Sequence, residues 1–140
     1  VDIEAGKRNW VYKSPTDQWL VGGPVISESI IYLGSSDQHL FRAFDANKGT
    51  LKWETKLDCR IWGRACILDD KIYIGSNSLY VIDKKTGSIL KQYTFAKVHE
   101  DKKYGKYIDR TANIHSSPII FEDKVIFGSD DGSVYALKCK

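Results

Sequence analysis

Residues 43–53 read AFDANKGTLKW, and this stretch decides the fold. After Ala43, the carboxylate of Asp45 can accept hydrogen bonds from the backbone amides of its own turn. Gly49 adopts the left-handed backbone conformation at low cost. Trp53 then presents a large apolar face for packing. The order of these residues predicts two strands joined by a tight turn, with the tryptophan packed against a neighbouring unit.

The same turn occurs at two other places in the chain. Asp83 and Gly87 hold the positions of the aspartate and the glycine, but Lys91 stands where the tryptophan is expected. We expect Tyr93 or Phe95 to replace its packing, with a weaker contact as the result. A partial copy near the amino terminus keeps all three residues, namely Asp2, Gly6 and Trp10.

Longer segments align around these turns, beginning at Gly22, Gly63 and Ser116. Each contains a β-branched or aromatic run that ends in Gly-Ser, and the glycines of these pairs lie 41 and 53 residues apart. The longer interval contains a charged insertion over residues 97–114, which we interpret as a projecting loop. Short apolar runs separated by Gly, Asp, Asn and Ser are typical of strands and turns. A period near forty predicts structural repeats over approximately 14–57, 58–96 and 112–140.

The repeats predict an all-β fold made of three four-stranded antiparallel blades of the β-propeller type. Residues 1–13 end in a further strand pattern and are expected to close the last repeat. Propellers close with about four to eight blades, and three blades alone leave strand edges exposed. We therefore expect either a fragment of a larger propeller or one half of a six-bladed dimer.

The stretch 43–53 resembles the Ala-x-Asp-x-x-Thr-Gly-x-x-x-Trp pattern of pyrroloquinoline-quinone-like (PQQ-like) repeats, and the resemblance covers nearly the whole chain apart from the insertion. Proteins with this repeat include quinoprotein alcohol dehydrogenases, BamB-like outer-membrane assembly lipoproteins, lumenal sensor domains of stress kinases and the propeller of aminoadipate-semialdehyde-dehydrogenase-like proteins. The resemblance favours an extracytoplasmic location, whereas the three cysteines argue for a reducing compartment. The fold alone does not choose among these functions.

Composition narrows the classes of partner. The 21 basic and 18 acidic residues give a net charge of +3, which is too small for the positive field that nucleic acid requires. No apolar run reaches the roughly 20 residues of a membrane helix. We therefore expect neither a nucleic-acid partner nor a membrane span.

Candidate site residues come from the repeat alignment together with the resemblance. In propellers of this kind the residues just before the innermost strand form the ligand-facing surface. The alignment places Trp19, Arg60 and Asn113 in one tier at the channel mouth, and Val21, Trp62 and His115 in another. Aromatic anchors beside polar groups are typical of binding sites. The alternative is that both tryptophans pack between blades while the arginine and the histidine bond to neighbouring carbonyls.

The sequence shows few of the residues that a catalytic site of this family requires. The resemblance to quinoprotein dehydrogenases implies adjacent cysteines in a disulfide, a calcium ion and a catalytic aspartate, but Cys59 and Cys66 are not adjacent. No carboxylate cluster falls in the two tiers, and the acidic run 129–132 is typical of a turn. We expect no cofactor, PQQ included, and no enzyme activity.

The sequence therefore predicts a scaffold or binding module. Its partner is expected to be a protein or peptide, or a second copy that adds to the strand edges at 8–13 and 134–138. The alternatives are a quinone-binding or small-ligand-binding oxidoreductase domain, and a sensor domain that acts through dimerisation.

Overall fold

The structure is a computed structural model that describes residues 4–15, 20–95 and 113–139. Asp2, Trp19 and nearly all of the insertion lie outside these ranges. Within them the regular secondary structure is all β. Its strands are β1 Val25–Ser27, β2 Ile30–Gly34, β3 Leu40–Asp45, β4 Leu51–Lys56, β5 Cys66–Leu68, β6 Lys71–Gly75, β7 Ser78–Asp83, β8 Ile89–Thr94, β9 Ile119–Phe121, β10 Lys124–Gly128 and β11 Val134–Lys138.

The strands form three antiparallel sheets, each a simple meander in chain order. The first sheet has the order β1-β2-β3-β4 and the second β5-β6-β7-β8. In the third sheet, β10 lies between β9 and β11, so the described residues provide three strands. These sheets are called blades 1, 2 and 3 below. The predicted all-β fold of antiparallel propeller blades is confirmed.

The predicted turns follow the third strand of blades 1 and 2. Asp45 Oδ1 accepts hydrogen bonds from the amides of Asn47 and Lys48, both at 3.0 Å. These amide bonds lower the pKa of the Asp45 carboxyl. Gly49 has a φ of 68° and closes the turn by donating to the Asp45 carbonyl oxygen at 2.8 Å. The sequence pattern therefore corresponds to a real turn with the expected roles.

The tryptophans of the motif pack on the turn of the following blade. Trp10 Nε1 donates to the Ala46 carbonyl oxygen at 2.8 Å, and Trp53 Nε1 donates to that of Lys84 at 3.3 Å. A β-carbon on Gly49 would lie 2.5 Å from the Trp10 ring. Glycine is thus required there both for its positive φ and for the close approach of the indole.

The core consists of two clusters, one in each gap between neighbouring blades. Alternation along a strand sends successive side chains to opposite faces of a sheet. In blade 2, Ile72, Ile74 and Ile82 join the cluster shared with blade 1, whereas Tyr73 and Leu79 join the cluster shared with blade 3. Blade 2 is therefore packed on both faces.

Blade 2 lacks the tryptophan of the motif, and an aromatic residue after its last strand replaces the contact with blade 3. Phe95, just beyond β8, has its ring centroid 4.5 Å from that of Tyr135 and 5.4 Å from that of Phe127. Lys91 occupies the tryptophan position, and its Nζ lies 4.7 Å from the centroid of the Tyr93 ring. Of the two proposed replacements, Phe95 makes the ring contacts with blade 3.

The amino-terminal segment covers the outer face of blade 1. Besides the Trp10 contact, the Tyr12 ring lies 4.7 Å from Phe44 and 5.8 Å from the guanidinium of the buried Arg42. The strand pairings of the described residues join β11 only to β10. Closure of the last repeat by residues 1–13 stays a prediction. No helix in the described ranges is long and apolar enough to cross a membrane.

Candidate binding site on the connection face

The candidate site lies at one end of the blades, where the chain passes from one blade to the next. The segments at 57–65 and 113–118 form this end, together with the turns between the second and third strands of each blade. We call this end the connection face. The opposite end carries the aspartate turns.

A buried isoleucine anchors each connecting segment. Ile61 and Ile114 are both 0 % exposed. Ile61 packs on the backbone of Gly34 and Ile114 on that of Gly75, so closely that a β-carbon on either glycine would collide with the isoleucine side chain. Gly34 and Gly75, the glycines of the first two Gly-Ser pairs, are therefore needed to receive the isoleucines. This contact fixes the residues on either side of each isoleucine at the surface.

Of the residues proposed from the alignment, three come together on this face. The Trp62 and His115 rings meet edge to face, with centroids 5.8 Å apart and planes at 90°. The Arg60 guanidinium carbon lies 5.9 Å from the centroid of the Trp62 ring. Trp62 is 39 % exposed, so part of its indole is open to solvent while the rest contacts the neighbouring connecting segment. Exposed aromatic and arginine side chains in contact are the usual anchors of binding surfaces.

A carboxylate orients the histidine. Asp130 Oδ1 lies 3.3 Å from His115 Nδ1, so the imidazole pairs with a side-chain carboxylate. The backbone amide of Asp130 donates to the Asn113 carbonyl oxygen at 3.0 Å. The acidic turn of blade 3 thus positions the histidine, a role that the sequence did not assign to Asp130.

Asn113 contributes differently from the other members. Its backbone is engaged as described, and its buried Oδ1 has no hydrogen-bond partner within the described residues. It lies beneath the surface, whereas Trp62 and His115 lie on it. Trp19, the remaining proposed member, falls outside the described ranges.

Arg64 is a surface residue that the sequence analysis did not single out. Its backbone amide donates to Ser117 Oγ at 2.9 Å, which ties the two connecting segments together. Its side chain lines a concavity of about 600 Å³ in front of the innermost strands, together with Val25, Ile26 and Ile119. The signal for it was present in the sequence, because Arg60, Trp62 and Arg64 are two residues apart.

The electrostatic environment of this face is positive near Arg60. Burial lowers the pKa of His39, and the charges of Lys56 and Arg60 lower it further. Two of the nearby acids are already engaged. Asp58 Oδ2 accepts hydrogen bonds from Tyr80 Oη at 2.8 Å and from Gln92 Nε2 at 3.1 Å, and Asp130 pairs with His115.

Metal-binding and redox groups are not assembled here. Across the described ranges, no group of three or more His, Cys, Asp or Glu side chains could hold a metal ion. All three cysteines lie in these ranges, and none forms a disulfide. These residues do not fit the disulfide and calcium site that the resemblance to quinoprotein dehydrogenases implied.

Comparison with known proteins gives a consistent result. A family model described as outer membrane protein assembly factor BamB matches residues 1–140. No curated protein sequence matches the chain significantly.

Solved structures with the same fold include BamB from Moraxella catarrhalis, with a TM-score of 0.66, 21 % identity, and coverage of 88 % of this chain and 34 % of that one. For a quinohemoprotein alcohol dehydrogenase, ADHIIG from Pseudomonas putida HK5, the TM-score is 0.69 and the identity 19 %, and the match covers 92 % of this chain and 20 % of that one. For the computationally designed Ika4 protein, the TM-score is 0.55 and the identity 13 %, and the match covers 95 % of this chain and 98 % of that one. The chain thus spans about a third of the first protein and a fifth of the second. Identities this low show a common fold and no more.

Proposed function

Because the chain belongs to the family described as outer membrane protein assembly factor BamB, we propose that it is a non-catalytic β-propeller module that binds a protein or peptide partner. The observation that carries this proposal is the Trp62–His115 pair on the connection face. An indole that is 39 % exposed and oriented by an imidazole is an anchor without an intramolecular role in the core. A rigid scaffold that displays such an anchor suits recognition.

Strand addition is a second route to a partner. Within the described residues β11 pairs only with β10, so its outer edge is unpaired, and Val134 on it is 77 % accessible. An extended segment of a partner protein, or of a second copy, can hydrogen-bond to such an edge. Strand addition depends on backbone hydrogen bonds, whereas binding at Trp62 depends on side chains. Substitution of Trp62 should therefore weaken only the second mode of binding.

Selection from a random peptide library tests the proposal. Trp62→Ala should weaken the binding of peptides that the wild-type protein retains by at least about thirtyfold in Kd, which corresponds to the cost of about 2 kcal/mol for a hot-spot residue. Leu51→Ala is the matched control, because it removes an apolar side chain that is 41 % exposed on the outer strand of blade 1. Failure to select any peptide, or equal loss in both variants, contradicts binding at the connection face.

A quinone-binding oxidoreductase domain is the alternative from a different class. The likeness of fold to the quinohemoprotein alcohol dehydrogenase and the exposed Trp62 ring favour it. Among the described residues no group of three or more His, Cys, Asp or Glu side chains could hold a metal ion, and no redox step is derived. Absorbance and thermal-shift measurements with a quinone and calcium test this alternative. A specific shift that Trp62→Ala abolishes would replace our proposal with this one.

A sensor that acts through dimerisation is a further alternative, for which the exposed β11 edge offers a contact. Its signature is a melting temperature that rises with protein concentration. A melting temperature independent of concentration over a hundredfold range would exclude it.

A further inference from the structure

Resting on the proposed function, we propose that Arg60, Trp62 and Arg64 form a strip that binds an extended acidic peptide. The peptide would present two carboxylates on either side of an apolar or aromatic side chain. The inference follows from the alternation of the three residues, from their charges and from the groups around them.

The three side chains share one side of their segment. Arg60, Trp62 and Arg64 are exposed, whereas Ile61 and Ala65 are buried, at 0 % and 4 % exposure. Gly63 between them is also buried, and a β-carbon there would collide with the backbone of Ser116. Alternate side chains of an extended peptide lie about 7 Å apart on one face. A partner with the pattern acid-x-apolar-x-acid therefore matches the order of the strip.

Among the described residues, the Arg60 and Arg64 guanidinium groups have no carboxylate partner. As described above, Asp58 and Asp130 are engaged with other groups. An exposed guanidinium that lacks an internal partner can form a two-pronged hydrogen bond with an external carboxylate.

Trp62 supplies the apolar contact between the two charges. Its ring meets His115 edge to face and lies beside the Arg60 guanidinium. Because these contacts already restrict the indole, the Trp62 side chain loses little conformational entropy when a peptide binds. Beyond Arg64 the surface continues into the concavity, where Ile26 and Ile119 are 63 % and 57 % exposed. A peptide that follows the strip toward the concavity can contact these two isoleucines, beside the charged side chains of Glu28, Asp69 and Lys84 that also line it.

Fluorescence anisotropy with short capped peptides tests the strip. The probe is Asp-Ser-Phe-Ser-Asp, and the controls are the same peptide with both Asp replaced by Asn and the same peptide with Phe replaced by Ser. We expect each replacement to weaken binding by about tenfold or more, and high salt to weaken the acidic peptide alone. Arg60→Gln and Arg64→Gln should each have a comparable effect. Lys85→Gln, which removes an exposed charge at the opposite end of blade 2, should have none.

Charge reversal gives the sharper result. The double variant R60E/R64E should lose the acidic peptide and gain Lys-Ser-Phe-Ser-Lys. Circular dichroism and the melting temperature of every variant show whether the fold is intact, which is expected because both arginines are exposed.

Each contrary outcome has a distinct meaning. Peptides that depend on Trp62 but bind equally well to R60E/R64E overturn the acidic strip and leave the proposed function in place. A protein that binds no peptide overturns both. Tighter binding of a single-stranded oligonucleotide than of the acidic peptide also overturns the inference, because stacking on Trp62 between two arginines is a mode of nucleic-acid binding.

Discussion

Two half-buried carboxylates at the ends of the third strands, Asp45 and Asp83, show how single residues shape this fold. Asp83 Oδ1 accepts hydrogen bonds from the amides of Lys85, at 3.0 Å, and Thr86, at 2.6 Å, and from the Thr86 hydroxyl at 2.8 Å. The Thr86 bonds are the main reason that the pKa of Asp83 is lowered. Asp45 repeats the arrangement without the hydroxyl, because Lys48 takes the place of the threonine.

The Asp83 turn predicts a dependence of stability on pH. A carboxyl whose pKa is lower in the folded chain stabilises the fold above its unfolded pKa, about 4, and loses this effect as the pH falls through the folded pKa. Asp83→Asn should therefore be less stable than wild type at neutral pH and should approach wild type as the pH falls below about 4. Urea unfolding midpoints against pH measure this. Parallel curves for the two proteins would show that the charge of Asp83 is irrelevant.

Residue-level reasoning also explains what the sequence did and did not reveal about the site. Arg60, Trp62, Asn113 and His115 follow from the repeat alignment, because equivalent positions of a repeat recur at equivalent places in the fold. The pairing of Asp130 with His115 joins two loops of blade 3. No local pattern encodes that contact, so the acidic run read only as a turn.

Among the structural elements, the motif turn together with the tryptophan packed on it links each blade to the next. The turn of blade 2 receives Trp53, and Thr55 Oγ1 also donates to the Gly87 carbonyl oxygen at 2.6 Å. Position 87 thus combines a φ of 77° with a close contact. Gly132, in the turn before β11, has a φ of 81° but nothing within 4 Å of a β-carbon.

These two glycines allow conformational strain to be separated from packing. Gly132→Ala should cost about 1 kcal/mol, since only the left-handed backbone penalises the methyl group. Gly87→Ala should cost about 2–4 kcal/mol, because its β-carbon would lie 2.6 Å from the Trp53 ring and overpacking adds to the strain. Chemical denaturation measures both. Equal losses would mean that the indole moves aside without cost.

The strands themselves were largely predictable, since alternation and turn residues are local signals. The anchoring of Ile61 on Gly34 was not, because it depends on how the connection crosses the preceding blade. The sequence showed the glycines of the Gly-Ser pairs only as the ends of strands. Their purpose as receptors for an isoleucine requires the tertiary structure.

The whole molecule is a stack of three blades in chain order with separate cores in the two gaps. The first core contains Tyr32, Phe41 and Ile72, and the second contains Tyr73, Val125 and Phe127. Within the described residues each core is therefore shared by two blades that are neighbours in the chain, as in other repeat proteins. The predicted architecture of antiparallel blades holds at this scale.

Separate cores predict independent energetic effects. Trp53→Ala should cost about 3 kcal/mol, the lower end of the range for large aromatic truncations, and Phe95→Ala about 2 kcal/mol, below that range, because both rings are only half-buried. Since they lie in different gaps, the double variant should show the sum to within about 0.5 kcal/mol. Urea unfolding provides the energies. A coupling well above that value would show that blade 2 transmits strain from one gap to the other.

The isoleucine anchors have a consequence for how such a surface diversifies. Ile61 and Ile114 hold their segments from below, while the neighbouring positions carry Arg and Trp in one segment and Asn and His in the other. Those neighbours can be exchanged without disturbing the anchor. A propeller of this kind can thus acquire a new binding specificity through two or three substitutions in each connecting segment, while the blades and the isoleucine anchors stay the same.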